Sequence, residues 1–283
     1  MEPWRRRSRR RSTPTSRTAC GTGSSTRRSA PSGRGWPITS PGGCVASSEL
    51  RVVTWNIRTG RGLDGRVDLD RVARVLAPLD AEVVALQELD VSRARTRGVD
   101  QPRWLAERLG MHATFCGAVE DADGGRYGHA LLTRRPPDRA DVTLLPRLPL
   151  REQRGAIDVD VHTSLGPVRV LSVHLGLLEL ERVLQVRPLT AIARRAERPM
   201  VLLGDLNASA QMPSMRLLRR AFTDASARTP AHTWHARFPV RRLDYALVRG
   251  LRSVGSRVLS EGDAARASDH LPLAVDLGLP ITG

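Results

Sequence analysis

The chain has 283 residues, of which 40% are apolar and 26% are charged, and these are ordinary values for a globular protein. They exclude collagen-like, membrane-spanning and disulfide-rich classes. The formal net charge is +16, and all 45 basic residues are Arg. Ten of these lie before residue 49 with a single acid, Glu2, so the positive charge is concentrated at the N-terminus. An all-Arg bias is typical of a GC-rich coding sequence, so net charge does not select a nucleic-acid partner.

Residues 1–48 are predicted to be a disordered Arg/Ser/Pro-rich leader, because they show no apolar periodicity. A nucleic-acid-binding arm, a solvated tail and a misassigned start codon all remain open. No apolar run follows its Arg cluster, so no secretion signal is predicted and a cytoplasmic location is expected. Cys20, Cys44 and Cys116 have no metal-ligand spacing, which favours a reducing compartment or indifference to redox state.

Residues 49–280 form the predicted folded domain, in which short apolar runs alternate with turn residues and helical stretches. Ten strands are predicted, at Leu50–Trp55, Glu82–Leu86, His112–Phe115, Gly128–Leu132, Ala156–Val161, Val168–Val173, Met200–Leu203, Asp244–Val248, Val254–Leu259 and Leu273–Leu277. Four helices are predicted, at Asp68–Leu79, Arg103–Leu109, Glu179–Ala196 and Pro213–Ala221. Pro188 is expected to break or kink the third helix.

This pattern predicts an α/β fold in which two packed β-sheets are flanked by helices. A barrel of eight parallel repeats is disfavoured, because the segments between residues 128 and 173 are joined by turns too short for crossover helices. The sequence contains no internal repeat.

Polar side chains suited to metal binding or proton transfer follow the most apolar strands. Taken alone, an Asn after a strand is commonly a turn former, and a His there is commonly a core residue. Asp205 and Asn207 give the strongest local signal, because residues two apart on an extended segment point the same way. The eight candidates are Asn56, Glu88, His174, Asp205, Asn207, Asp244, Asp269 and His270.

Six short motifs around these residues occur in one order along the chain. They are Trp55-Asn56-Ile57, Gln87-Glu88, Val173-His174-Leu175, Gly204-Asp205-Leu206-Asn207, Leu243-Asp244-Tyr245 and Ser268-Asp269-His270. In this respect the chain from residue 50 to about residue 279 resembles the endonuclease/exonuclease/phosphatase superfamily, which has a deoxyribonuclease I-like fold. The resemblance implies a four-layer sandwich of two mostly antiparallel sheets flanked by helices. It is specific for the superfamily and much less so for the substrate.

The resemblance also implies a metal site. Glu88 would be the main Mg²⁺ ligand, with Asn56 and Asp269 beside it or acting through water. Mg²⁺ suits these residues because it prefers oxygen ligands and retains several waters. Mn²⁺ is expected to substitute.

The remaining residues would handle the water and the phosphoryl group. Asp205 would orient or deprotonate the attacking water, and Asn207 would donate to a phosphoryl oxygen. His174 and His270 would bind the other oxygens, and Asp244 would fix the tautomer or charge of His270. Such an arrangement suits in-line displacement at phosphorus.

Further segments are similar to one bacterial branch of the superfamily, whose members are described as metal-dependent hydrolases. These segments are Gly98–Gln101, Leu105–Gly110 and Tyr127–Arg134. An Asn is expected in that branch where this chain has His129, and this leaves the function of the position open.

A few other residues are hypothetical substrate contacts. Arg126, Arg134 and Arg154 lie near predicted strand ends and could bind phosphate, although most Arg in so Arg-rich a chain must be solvated. Tyr127 could stack against a base or another ring. Aromatic residues make up only 4% of the chain, which leaves little platform for single-stranded nucleic acid.

The sequence therefore predicts a metal-dependent hydrolase of a small or lipid-derived phosphoester. A DNA or RNA nuclease is the second reading, and a non-catalytic binding protein on the same fold is the third. The sequence shows neither an apolar docking surface nor an export route, as a sphingomyelinase-like activity would require. No transmembrane segment is predicted, and a monomer is favoured.

Overall fold

The computed structural model describes residues 49–227 and 232–281. The predicted leader, residues 1–48, lies outside the described residues. The described part contains two six-stranded sheets.

The first sheet has the strand order β11-β12-β1-β2-β4-β3. Its strands are β1 (Leu50–Asn56), β2 (Val83–Val91), β3 (His112–Glu120), β4 (Arg126–Thr133), β11 (Arg252–Val258) and β12 (Leu273–Gly278). Only the pairing of β1 with β2 is parallel. This sheet is therefore mixed and mostly antiparallel.

The second sheet has the order β5-β6-β7-β8-β10-β9. Its strands are β5 (Arg139–Leu144), β6 (Gly155–Thr163), β7 (Gly166–His174), β8 (Met200–Asp205), β9 (Thr223–Asp224) and β10 (Asp244–Arg249). The β7–β8 pairing is parallel and the others are antiparallel. Each sheet thus has one parallel pair near its centre.

The two sheets pack face to face over an apolar core. Val52 and Leu131 of the first sheet lie in one cluster with Ile157, Val170 and Val201 of the second. Helices cover the outer faces and are α1 (Leu69–Leu76), α2 (Gln101–Leu109), α3 (Glu179–Arg194) and α4 (Pro213–Leu218). The first two pack on the first sheet and the last two on the second. This is the predicted four-layer sandwich.

All ten predicted strands and all four predicted helices are present, and two strands were not predicted. β5 escapes prediction because it lies at a sheet edge with most of its residues exposed, and β9 has only two residues. The predicted break at Pro188 is wrong, since α3 continues through it. Pro188 removes one backbone donor, but buried Val186 and Leu189 hold the helix against the sheet. No described helix has the length and apolarity needed to cross a bilayer.

Strand register brings the polar ends of both sheets together. In the first sheet Asn56 pairs with Gln87, the neighbour of Glu88. In the second, His174 pairs with Asp205, which in turn pairs with Asp244. The central strands therefore carry their polar residues at one end of the sandwich.

Candidate active site

The first sheet supplies Asn56 and Glu88. Asn56 is the last residue of β1, whereas Glu88 lies inside β2, at a bulge where the register with β4 shifts between Gln87 and Leu89. Glu88 has φ of 60°, a left-handed conformation that is uncommon for a non-glycine residue. The bulge redirects its side chain, and Asn56 Nδ2 donates to Glu88 Oε1 at 2.9 Å.

The second sheet supplies His174, Asp205 and Asp244. His174 and Asp205 end the parallel strands β7 and β8, and Asp244 begins β10. All three are buried. Gly204 allows β8 to approach β7 closely, because a Cβ at that position would lie 1.9 Å from the carbonyl oxygen of Val173. Glycine here therefore helps to set the spacing of the two strands that present His174 and Asp205.

The loop before β12 supplies Asp269 and His270. Ser268 Oγ donates to the carbonyl oxygen of Asn56 at 2.7 Å and accepts from the backbone N–H of His270 at 3.2 Å. Trp55 Nε1 donates to the His270 carbonyl oxygen at 2.8 Å. These bonds fix the loop to the end of β1, so the first sheet positions His270 even though it faces the second.

Asp205 lies at the centre of the site. Its Oδ2 is 3.1 Å from Asn56 Nδ2, 3.6 Å from His174 Nε2 and 3.7 Å from His270 Nε2. Its Oδ1 accepts from the backbone N–H of Asn207 at 2.9 Å. Burial raises the pKa of Asp205 to about 6, against the opposing effect of His270. One carboxylate thus faces two imidazoles and one amide.

His270 is held as a charged imidazolium. Its Nδ1 donates to Asp244 Oδ2 at 2.9 Å. Burial by itself would lower the pKa of His270, but the carboxylates of Asp244 and Asp205 outweigh burial and raise it to about 10. Asp244 Oδ1 is buried and has no hydrogen-bond partner within the described residues. Asp244 therefore stabilises the charged form of His270 through Nδ1, while Nε2 of the same ring faces Asp205.

His174 lies in the opposite environment. Arg154 Nη1 is 3.0 Å from His174 Nδ1, and Arg154 also pairs with Glu152 at 2.9 Å. A guanidinium can only donate, so Nδ1 must accept and the ring proton must be on Nε2. Burial and the Arg154 charge hold the pKa of His174 well below its usual value. His174 is therefore a neutral ring whose Nε2–H faces Asp205.

Glu88 and Asp269 bring two carboxylates to the other side of Asn56. Burial raises the pKa of Glu88, and the nearby charge of Asp269 raises it further, while the Asn56 hydrogen bond opposes both. Asp269 is partly exposed, and its one described ion pair is with Arg58 Nε at 4.0 Å. The region concentrates negative charge that the protein itself neutralises only in part.

Asn207 completes the set of eight candidates. It has φ of 49°, and its Nδ2 donates to the Leu175 carbonyl oxygen at 2.9 Å. An amide nitrogen carries two protons, so one of them is left for a ligand. Asn207 and Asp205 both line a surface cleft at which the site lies.

The cleft has a volume of about 440 Å³. Of the eight predicted residues, Glu88, His174, Asp205, Asn207, Asp269 and His270 line it. Asn56 and Asp244 lie behind this surface and act through hydrogen bonds. All eight therefore belong to one site, and their individual roles remain predictions.

Several residues of the cleft have no motif of their own in the sequence. Glu152, Trp234 and Arg241 line it without having been predicted. Of the three Arg considered as phosphate contacts, Arg154 lines the cleft. Arg134 does not line it. This residue pairs with Asp80 and follows β4 at the end of the first sheet's strands that is remote from the site.

The exposed Arg126 lies over the ring of Phe115. Tyr127, a candidate for stacking, lines the cleft. The guanidinium groups of Arg93 and Arg95 lie over its ring, 5.4 and 5.2 Å from the centroid. These contacts already occupy part of the aromatic surface of Tyr127.

A buried group on the second-sheet side also has donor atoms close enough for a metal ion. Asp205, Asp244 and His270 each place one such atom within 4.8 Å of the others. The hydrogen bond from His270 Nδ1 to Asp244 already uses one of the two ring nitrogens.

Comparisons with known proteins agree with this architecture. The family model described as "Endonuclease/Exonuclease/phosphatase family" matches residues 53–270. The uncharacterized protein YbhP of Escherichia coli K12 is 26% identical over 251 residues, covering 81% of this chain and 96% of YbhP.

Two solved structures show the same fold. The endonuclease/exonuclease/phosphatase of Beutenbergia cavernae has a TM-score of 0.69 and 26% identity, covering 83% of this chain and 73% of that one. The mannosyl-6-phosphatase Bt3783 of Bacteroides thetaiotaomicron has a TM-score of 0.66 and 17% identity, covering 81% and 99%. With the family model matching most of its length, the chain belongs to the endonuclease/exonuclease/phosphatase family, within a superfamily of phosphoester hydrolases.

Proposed function

We propose that the protein hydrolyses a phosphoester by Mg²⁺-assisted, in-line attack of water. The observation that carries this proposal is the position of Asp205. Its carboxylate faces the Nε2 atoms of His174 and His270, and Asn56 connects it to Glu88. A base, two phosphate-binding groups and a carboxylate pair for a cation are thus combined within one cleft.

The donor set around Glu88 fits Mg²⁺. Glu88 and Asp269 are both carboxylates, and their mutual repulsion contributes to the raised pKa of Glu88. Mg²⁺ favours one or two protein carboxylates and keeps several waters, so this open pair suits it. Asn56 directs its amide nitrogen to Glu88, which supports a positioning role beside the metal. When bound, Mg²⁺ would neutralise charge on the phosphoryl oxygens.

The Asp205, Asp244 and His270 group is a weaker metal site. Mg²⁺ prefers oxygen ligands, and His270 is held as a cation by the two carboxylates that surround it. A cation at this position would have to displace the proton shared along the His270–Asp244 hydrogen bond. We therefore assign this group to proton and phosphate handling.

Asp205 would orient the attacking water and accept its proton. Its raised pKa, about 6, brings its basicity closer to neutral pH than that of an ordinary Asp. The Asn207 N–H and the Asn56 amide hold the carboxylate in place. The water would then lie between Asp205 and the phosphorus atom, in line with the leaving oxygen.

The imidazoles would stabilise the charge that develops on the phosphoryl oxygens. His270 would supply a charged N–H from Nε2, and His174 a neutral one. The remaining Asn207 amide proton would supply a third donor. Arg154 would fix the ring of His174 in the tautomer that donates.

We place a small or lipid-derived phosphoester first as the substrate and nucleic acid second. The volume of the cleft, about 440 Å³, is within the range of small-molecule sites. Tyr127 lines the cleft, and the Arg93 and Arg95 groups over its ring reduce the surface left to stack a base. One structural neighbour is a sugar phosphatase, which is consistent with small phosphate substrates on this fold.

The test is hydrolysis of bis-p-nitrophenyl phosphate and of a phosphomonoester panel, with Mg²⁺ or Mn²⁺ added and then removed by EDTA. We expect turnover with metal and its loss with EDTA. Absence of metal-dependent turnover across the panel would favour a non-catalytic binding protein. Supercoiled plasmid is included in the panel, and its cleavage faster than that of the small esters would establish the nuclease alternative.

A further inference from the structure

The end of the sandwich at which the site lies also carries an apolar rim. Of the 13 large exposed hydrophobic side chains among the described residues, seven lie on segments that follow or precede strands at this end. We call these seven the apolar rim: Leu150, Leu177, Leu178, Leu180, Met212, Phe238 and Val240. Scattered exposed leucines are normal, but such a concentration around one cleft requires a reason.

Strand register places these segments around the cleft. The β5–β6 connection follows the last residue pair of these strands, Leu144 and Gly155, and lies at the same end of the sheet strands as His174 and Asp205. Leu150 lies on this connection and is fully exposed, at 103%. Glu152, two residues further along, lines the cleft.

The segments after β7 and β8 carry four members of the rim. Leu177 lines the cleft itself and is 61% exposed. Leu178 and Leu180 are its neighbours at the start of α3. The backbone N–H of Ser214, at the start of α4, donates to Glu179 Oε1 at 2.6 Å, and this bond keeps the segment containing Met212 beside α3.

The segment before β10 carries the other two. Trp234 and Arg241 form an isolated β-bridge and both line the cleft. Phe238 and Val240 lie within the turn that this bridge closes, and they are 70% and 63% exposed. The turn thus presents two apolar side chains to solvent directly beside the mouth of the cleft.

The charge of the same segments is positive. Arg147, Arg237 and Arg241 are exposed, and none of them forms an ion pair with a described carboxylate. The Arg237 guanidinium lies 5.6 Å from the centroid of the Phe238 ring, so the charge is adjacent to the rim. The acids of these segments are already paired or buried, since Glu152 pairs with Arg154, Glu179 pairs with Arg182, and Glu181 is buried. Apolar tips combined with unpaired Arg are complementary to an anionic lipid surface, whose headgroups attract Arg and whose acyl region accepts Leu and Phe.

We propose that the apolar rim docks the protein on an anionic phospholipid surface, and that the phosphoester cleaved is borne by a lipid in that surface. The second clause rests on the proposed function; the docking does not. The sequence gives no sign of this surface, because the rim residues come from segments far apart in the chain. Nucleic acid fits this surface less well, since contacts with phosphate do not require exposed Leu and Phe.

The docking is tested by flotation of the full chain with vesicles of phosphatidylcholine alone or with phosphatidylglycerol added. The test variant is Leu150→Ser with Phe238→Ser, neither of which lines the cleft. The matched control is Val254→Ser with Leu279→Ser. These two exposed apolar residues lie at the end of the first sheet's strands that is remote from the site. Flotation is repeated at high salt, which screens the Arg-rich residues 1–48 but leaves the apolar contribution.

We expect the wild type and the control to bind anionic vesicles, and the test variant to bind at least about tenfold more weakly at high salt. Hydrolysis of a vesicle-borne phosphoester should fall in parallel, while turnover of soluble bis-p-nitrophenyl phosphate stays unchanged. Equal binding by test and control variants, or binding to plasmid DNA and not to vesicles, would overturn the docking. Rim-dependent flotation without any phosphoester turnover would leave the docking in place and refute the proposed function.

Discussion

The two imidazoles on either side of Asp205 are similar in distance and opposite in electrostatics. His270 has the Asp244 carboxylate behind it and a raised pKa, whereas His174 has the Arg154 guanidinium behind it and a lowered one. Their Nε2 atoms lie 3.7 and 3.6 Å from the same carboxylate oxygen. The site therefore offers one charged and one neutral donor to the same small volume.

This difference shows how residues outside the motifs determine the chemistry of residues inside them. A carboxylate partner keeps a proton on both nitrogens of His270, and a guanidinium partner restricts His174 to one tautomer. A phosphoryl group entering the cleft would meet a cationic side and a neutral side. Substitutions can remove the charged donor, its partner and the partner of the neutral donor one at a time.

The largest effect is expected for His270→Ala. The change removes a charged donor from the developing phosphoryl charge, and turnover should fall at least about a hundredfold. Steady-state kinetics on the best substrate of the panel measure it. His162→Ala, at an exposed position paired with Asp138, is the control and should retain turnover. Near-wild-type turnover of His270→Ala would exclude the assigned role.

A smaller loss, of roughly tenfold to a hundredfold, is expected for Asp244→Asn. An amide can still occupy the space, but it no longer favours the charged form of His270. The control is Asp224→Asn, which removes an acid of β9 whose largely buried side chain pairs with Arg242, two residues before β10. If the two variants lost the same turnover at similar thermal stability, Asp244 would have no special link to His270.

Arg154→Gln is expected to lower turnover by about tenfold, because a Gln at this position can accept as well as donate and leaves the His174 tautomer unspecified. In ¹⁵N NMR spectra the Nδ1 of His174 should be unprotonated in the wild type and partly protonated in the variant. Arg154→Lys retains a donor and should rescue the tautomer. Arg134→Gln, at the end of the strands remote from the site, controls for loss of charge. An unaltered His174 spectrum in Arg154→Gln would contradict the assignment.

The smallest effect, under about threefold in turnover, is expected for His129→Asn. His129 is buried, burial lowers its pKa to about 4, and its one described hydrogen bond joins Nε2 to the Ser172 carbonyl oxygen at 3.0 Å. A neutral amide can replace that bond. Thermal unfolding measured alongside kinetics separates a packing effect from a catalytic one, and a large loss of turnover in a stable variant would give His129 a role in the site.

The strands and most site residues were predictable because their signals are local. Apolar runs such as Val83–Leu86 encode burial directly, and a polar residue at the end of such a run, as at Asn56 or Asp205, is visible without any partner. The exposed edge strand β5 carries no such run. The helix around Pro188 was predicted, but its continuity through the proline was not, because tertiary packing there outweighs local preference.

The amino-acid sequence by itself determined the eight candidate polar residues near the apolar strands and the order in which they occur. Only the tertiary structure decided their partners, since Asn56 and Asp205 are 149 positions apart and meet through sheet packing. The bulge at Glu88, the Arg154 contact to His174 and the apolar rim share this origin. Periodicity records how far a residue is buried, whereas a hydrogen-bond partner depends on strand register and on the approach of distant loops.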